Sequence, residues 1–98
     1  MSAATELVGP VLHATDSARA VVDAIRALNE EVTVIDRGAY WRVQAKGRCV
    51  VTRAEIEKRT HTKFEFPSDL ERVLVSFQGR FLVDDEQASW TAFAEGRP

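Results

Sequence analysis

The chain has a single cysteine, Cys49, so no internal disulfide can form. One thiol suits a reducing compartment, and a cytoplasmic location is the expectation. Histidine is equally scarce, with two in 98 residues. A Cys/His zinc site fails by count, and four-cysteine iron–sulfur ligation fails too. No apolar run approaches the ~20 residues of a membrane helix, so no membrane span is expected. The opening MSAATELVG has neither a basic nor an apolar stretch, so no signal peptide is expected. There is no excess of basic charge: 13 Lys and Arg face 15 Asp and Glu, for a net charge of −2. That balance gives no nucleic-acid footprint. The glycine patterns that cradle phosphates, G-x-G-x-x-G and G-x-x-x-x-G-K-[ST], are absent as well.

Catalytic constellations are missing in the same way. Ser76 lies in V-S-F-Q-G, which is not a nucleophile elbow. Cys49 sits in R-C-V-V, where a small buried residue is the ordinary reading and no neighbour activates the thiol. Glu57 and His61 stand four apart, not in the Glu-x-x-His spacing of di-iron bundles. His61 reads as a solvated helix end. Asp84-Asp85-Glu86 lacks calcium-loop spacing and reads as a solvated turn. The segment 53–74 could hold two helices, but the second carries Asp69 and Glu71, which phosphate would repel. No catalytic, cofactor-binding or metal-binding residue is assigned.

What is present is a pattern of short elements for one small domain. VGPVLHA (8–14) is an apolar run broken by Pro10, which predicts an edge strand. Thr15 or Asp16 caps a helix in which Ala18, Val21, Val22, Ile25 and Leu28 recur at helical spacing, ending near Asn29. VTVID and YWRVQAK form a hairpin about Asp36-Arg37-Gly38. Strict alternation turns Trp41, Val43 and Ala45 inward and Tyr40, Arg42, Gln44 and Lys46 outward. Gly47 supplies a turn before the strand RCVV. Thr52-Arg53-Ala54-Glu55 is a capping box that opens a helix over 53–60, and Ser68-Asp69-Leu70-Glu71 is a second one. VLVSF, RFLVD and QASWTAF read as strands, with turns at Gln78-Gly79 and 84–86. The fold class is α+β: βαββ followed by βααββ, helices packed on antiparallel sheet. Residues 1–7 and 94–98 are expected to be flexible ends around a domain spanning 8–93.

The run Val32-Thr33-Val34-x-Asp36-Arg37-x-x-Tyr40-x-x-Val43-x-Ala45-x-Gly47 closely resembles the effector proteins of bacterial multicomponent di-iron monooxygenases, also called coupling or regulatory proteins. Val8-Gly9-Pro10-Val11 resembles the first strand of the toluene branch. Val51-Thr52-Arg53, Ser76-Phe77-Gln78-Gly79 and Asp84-x-Glu86-Gln87 follow in the family's order and spacing. Two departures stand out. Many members carry Leu-Gly-Arg before an aromatic after the second helix, where this chain has Thr60-His61-Thr62-Lys63-Phe64, so no role is carried over to that loop. The long N-terminal tail of methane-type effectors has no counterpart, which points towards aromatic- or alkene-oxidising systems.

The resemblance implies a non-catalytic protein without metal or cofactor. It implies a hydroxylase component as partner, bound over its di-iron centre, with functional links to ferredoxin and reductase components. Such a protein tunes active-site conformation and oxygen and substrate access, and couples NADH-derived electrons to hydrocarbon oxidation. A monomeric free state is expected. The resemblance also assigns Ser76, Phe77 and Gln78 as interface candidates, with the outward pair Arg42 and Gln44 as weaker ones. For Phe77 the competing reading is a core position on an alternating strand. The alternative function is a small-ligand-sensing βαββαβ regulatory domain.

Overall fold

The computed structural model describes residues 6–93. In chain order the elements are β1 (Leu7–His13), α1 (Asp16–Leu28), β2 (Thr33–Asp36), β3 (Tyr40–Lys46), β4 (Arg48–Thr52), α2 (Arg53–Thr60), α3 (Ser68–Val73), β5 (Leu74–Gln78), β6 (Arg80–Val83) and β7 (Gln87–Thr91). The α+β class is therefore as expected; the three closing strands read from VLVSF, RFLVD and QASWTAF all form, so the second half runs βααβββ, one strand more than βααββ. The flexible ends expected over 1–7 and 94–98 fall outside the described residues, except for Glu6 and Leu7. Leu7 opens β1 opposite Lys46, and the Glu6 carbonyl accepts a bond from the Gly47 N–H at 2.7 Å.

Local chemistry sets the helix boundaries. The Thr15 hydroxyl accepts the Ala18 N–H at 3.1 Å and starts α1. The Thr52 hydroxyl does the same for Glu55 N–H at 3.2 Å and starts α2. The reciprocal half of that capping box is not made. Glu55 turns its carboxylate along the helix to Arg59 and Lys58 instead, because two cations outcompete one backbone N–H. The second capping box is also not formed. Pro67 occupies the N-cap position of α3, Ser68 lies inside the helix, and no side chain caps it. The Asp69 carboxylate instead accepts the Glu65 N–H at 2.8 Å, tying the preceding loop down.

The strands form two antiparallel sheets, ordered β2-β3-β1-β5 and β4-β7-β6. β1 is thus a central strand, against the edge position Pro10 suggested. Its ladder to β3 is interrupted at Gly9 and Pro10, between Val8↔Ala45 and Val11↔Arg42. Gly9 adopts φ +146°, and a Cβ there would stand 2.3 Å from the Val43 carbonyl oxygen. The missing donor of Pro10 therefore falls where β3 approaches too closely for a regular ladder.

Gly47 and Gly79 are likewise not hairpin turns. β3 and β4 lie in different sheets, as do β5 and β6. Each glycine, with φ of 75° and 100°, is a corner at which a strand passes from one sheet to the other. The inner faces of both sheets and the three helices share one core, with Leu12, Ile25, Ile56, Leu70 and Trp90 fully buried. Each such aliphatic side chain contributes about 1.5–3 kcal/mol by leaving water. The sheets wrap this core, and among the described residues no helix covers the convex surface formed by their outer faces.

Candidate functional site

Among the described residues β5 is the edge of the larger sheet, paired with β1. Its register shifts between Val11 and Leu12, so that Leu12 pairs with Leu74 while Val11 pairs with Ser76. Val75 is the extra residue of that bulge. From Val75 to Gln78 every side chain is exposed, with Val75 at 48% and Phe77 at 44%. An exposed strand reading Leu-Val-Ser-Phe-Gln has no charge to protect its edge, which is the composition of an edge that meets something.

Directly paired residues of antiparallel strands project from the same face. Arg42 pairs with Val11, and Val11 with Ser76. Gly9 pairs with Gln78, and Gln44 lies in the next outward position of β3. The structure thus brings Arg42, Gln44, Ser76 and Gln78 together on the outer face of one sheet. It does not bring Phe77 to them. Phe77 pairs with Pro10 and projects from the opposite face, near the open edge. There its ring lies 5.2 Å from that of Phe81, which stacks at 5.2 Å and 15° on the buried Trp90. Phe77 is neither a core residue nor part of the polar row. It is the exposed end of an aromatic chain that runs into the core.

Trp41 faces inward as alternation requires, half-buried, with the Arg19 guanidinium 5.3 Å above its ring. Tyr40 stands on the other side of the strand, exposed. A shallow groove between α1 and the β2–β3 hairpin is lined by Arg19, Val34 and Trp41 among others.

The other titratable groups singled out in the sequence are engaged in structure. Cys49 is fully buried opposite Trp90, and burial pushes its thiol up to about 12. A protonated, enclosed thiol is no nucleophile. His61 caps α2 in the left-handed conformation, its N–H bonded to the Glu57 carbonyl at 2.9 Å. The Glu57 carboxylate accepts the Phe64 N–H at 2.8 Å. The divergent loop therefore closes on itself, with Phe64 buried edge-on against Phe66. Asp84 accepts the N–H groups of Glu86 and Gln87, both at 2.8 Å, and these bonds hold its carboxyl below the usual carboxylate range.

Two features had no sequence expectation. Asn29 joins α1 to the outer edge of β4. Its amide donates to the Val50 carbonyl at 2.7 Å and accepts the Val50 N–H at 3.0 Å. Leu82, 59% exposed on β6, shares the outer face with Ser89. Alternation across Gly79 would have placed it there.

Residues 6–91 match the model of the MmoB/DmpM family. The chain is 42% identical over 86 residues to the effector subunit of the alkene monooxygenase system of Xanthobacter autotrophicus (strain ATCC BAA-1158 / Py2), covering 86% of this chain and 84% of that one. It superposes with a TM-score of 0.80 on a chain from a structure of the phenol hydroxylase–regulatory protein complex, at 22% identity, over 88% of this chain and 98% of that one. A structure of the soluble methane monooxygenase regulatory protein B matches with a TM-score of 0.69 at 25% identity, over 92% of this chain and 67% of the other. At such identities the superpositions speak for the fold.

Proposed function

The chain belongs to the MmoB/DmpM family, and on that premise we propose that it is the non-catalytic effector subunit of a multicomponent monooxygenase, acting on the hydroxylase component. The observation that carries this reading is the 42% identity, spread over most of both chains, to an alkene monooxygenase effector subunit. The fold likeness to a chain of a phenol hydroxylase–regulatory protein complex supports a hydroxylase as partner.

The mechanism that fits is a population shift. A protein that binds one hydroxylase conformation more tightly than another favours it by the difference in affinity. Coupling energies of ~1–3 kcal/mol are typical of such effects. In this reading Ser76, Gln78, Arg42 and Gln44 meet the hydroxylase from the convex side, with Phe77 at the adjoining edge. The consequences are changed access of oxygen and substrate and tighter coupling of NADH-derived electrons, passed through ferredoxin and reductase components, to oxidation of an alkene or aromatic hydrocarbon. The effector acts from the cytoplasm as a free monomer until it docks. The small-ligand-sensing alternative receives no support from the shallow groove beside α1.

The test is reconstitution. The protein is added to purified hydroxylase, reductase and ferredoxin, and NADH-driven substrate oxidation is followed. A changed rate or product distribution is expected. Identical turnover with and without the protein would refute the proposal.

A further inference from the structure

Gly47 and Gly79 turn their strands from one sheet to the other without breaking side-chain alternation. Arg42, Gln44 and Lys46 project outward before Gly47, and Arg48 and Val50 after it. Ser76 and Gln78 project outward before Gly79, and Arg80 and Leu82 after it. Arg48 and Arg80 both pair with Thr91, which places the two guanidinium groups on one face, either side of the central strand β7. The outer faces of the two sheets are thus one continuous surface.

The charge on that surface is one-sided. The residues that the strand registers place there include Arg42, Lys46, Arg48 and Arg80, and no Asp or Glu. Asp36, the only carboxylate within a strand among the described residues, pairs with Trp41 and belongs to the inner face. The other described carboxylates lie on helices and connecting segments. Lys46 is partly neutralised by Glu31 at 3.6 Å. Arg42, Arg48 and Arg80 have no ion pair among the described residues. In a chain of net charge −2, the broad face left uncovered by the described helices thus carries Arg42, Arg48 and Arg80 with no strand carboxylate beside them.

We infer that this convex face docks on an acidic surface of the hydroxylase, with Arg42, Arg48 and Arg80 set against carboxylates of the partner. The inference rests on the proposed effector function and adds to it the chemistry of the partner's surface. Planar guanidinium groups fit carboxylates in a two-point fork. The described helices balance six carboxylates with six cations, and the acidic excess lies in the connecting segments, so a carboxylate-free arginine face orients the approach and raises the association rate at low salt. A protein partner is favoured over nucleic acid by the exposed apolar side chains Tyr40 and Leu82 among the arginines and by the net negative charge of the chain.

The experiment titrates purified hydroxylase with the full-length protein at about 50 and about 300 mM NaCl, ionic strengths between which screening becomes substantial. Wild-type affinity is expected to fall about tenfold or more across that range. The double reversal Arg48→Glu/Arg80→Glu should lower affinity at low salt by at least about tenfold and flatten the salt dependence. The control reversal Arg26→Glu, on the exposed side of α1, should do neither. The milder Arg48→Gln/Arg80→Gln pair, with circular dichroism matched to wild type, carries the comparison if the reversal disturbs the fold. Tight wild-type binding that the convex-face variants leave unchanged would overturn this inference while the effector function stands. Failure of the wild-type protein to bind at either salt would overturn both. Retention on a DNA duplex that the same reversals abolish would also overturn the inference, since the face would then serve phosphate.

Discussion

Asn29 shows how much one side chain can settle. It ends α1 by returning its backbone N–H to Ile25, and its amide pairs with both backbone groups of Val50. β4 is an edge strand, so these groups would otherwise have no strand partner. Asn29→Ala should lower stability by about 2 kcal/mol, because it leaves a half-buried donor and acceptor unmatched. Urea denaturation reads this as a lower midpoint with an unchanged slope; an unaltered midpoint would contradict it. Phe77 is the second residue at this scale. Half-exposed on Phe81, it should tolerate Phe77→Ala with a stability loss of about 1–2 kcal/mol, well below the ~3–5 kcal/mol of a core phenylalanine. Weaker hydroxylase binding by a folded variant is the expected result. Failure of the variant to fold would return Phe77 to the core.

Among the elements, those fixed by neighbours in sequence were legible in the sequence, and those fixed by distant chain were not. Thr52 caps α2 through Glu55, three residues away, and the helix runs over 53–60 as the pattern predicts. The alternation of β3 correctly turns Trp41 inward. Pro10 misleads because its position in the sheet depends on Val43, thirty-three residues on, not on its own neighbours. The corners at Gly47 and Gly79 mislead because one glycine signals a turn equally well within a sheet or between two. The same glycines hid the candidate surface, since Arg48 and Arg80 join Arg42 only if alternation continues through them. Gly9→Ala should be strongly destabilising, by roughly 3 kcal/mol, because the added Cβ meets the Val43 carbonyl and the positive φ disfavours it. A thermal melt within a few degrees of wild type would contradict this. The β6–β7 turn carries a pH signature. Asp84 has a lowered pKa in the fold, so its ionised form contributes stability above the unfolded carboxylate value and loses it as pH falls through the folded one. The stability gap between wild type and Asp84→Asn, from urea midpoints, should therefore shrink from about pH 6 to about pH 3. A gap independent of pH would exclude the ionised Asp84 as its source.

At the scale of the molecule, the helices fill the inside of two bent sheets, and among the described residues nothing covers their outside. The buried Cys49, the self-bonded loop after α2 and the occupied carboxylates of Glu57 and Asp84 leave that outside as the feature best suited to act. An effector of this kind does its chemistry through another protein. The central claim is that it raises the fraction of NADH-derived electrons that reach product. The most direct measurement is the ratio of oxidised hydrocarbon formed to NADH consumed, in reconstituted hydroxylase, reductase and ferredoxin, as this protein is titrated in. The ratio should rise and saturate as the complex fills. A ratio that stays flat throughout the titration, with hydroxylase and reductase active, would contradict the account.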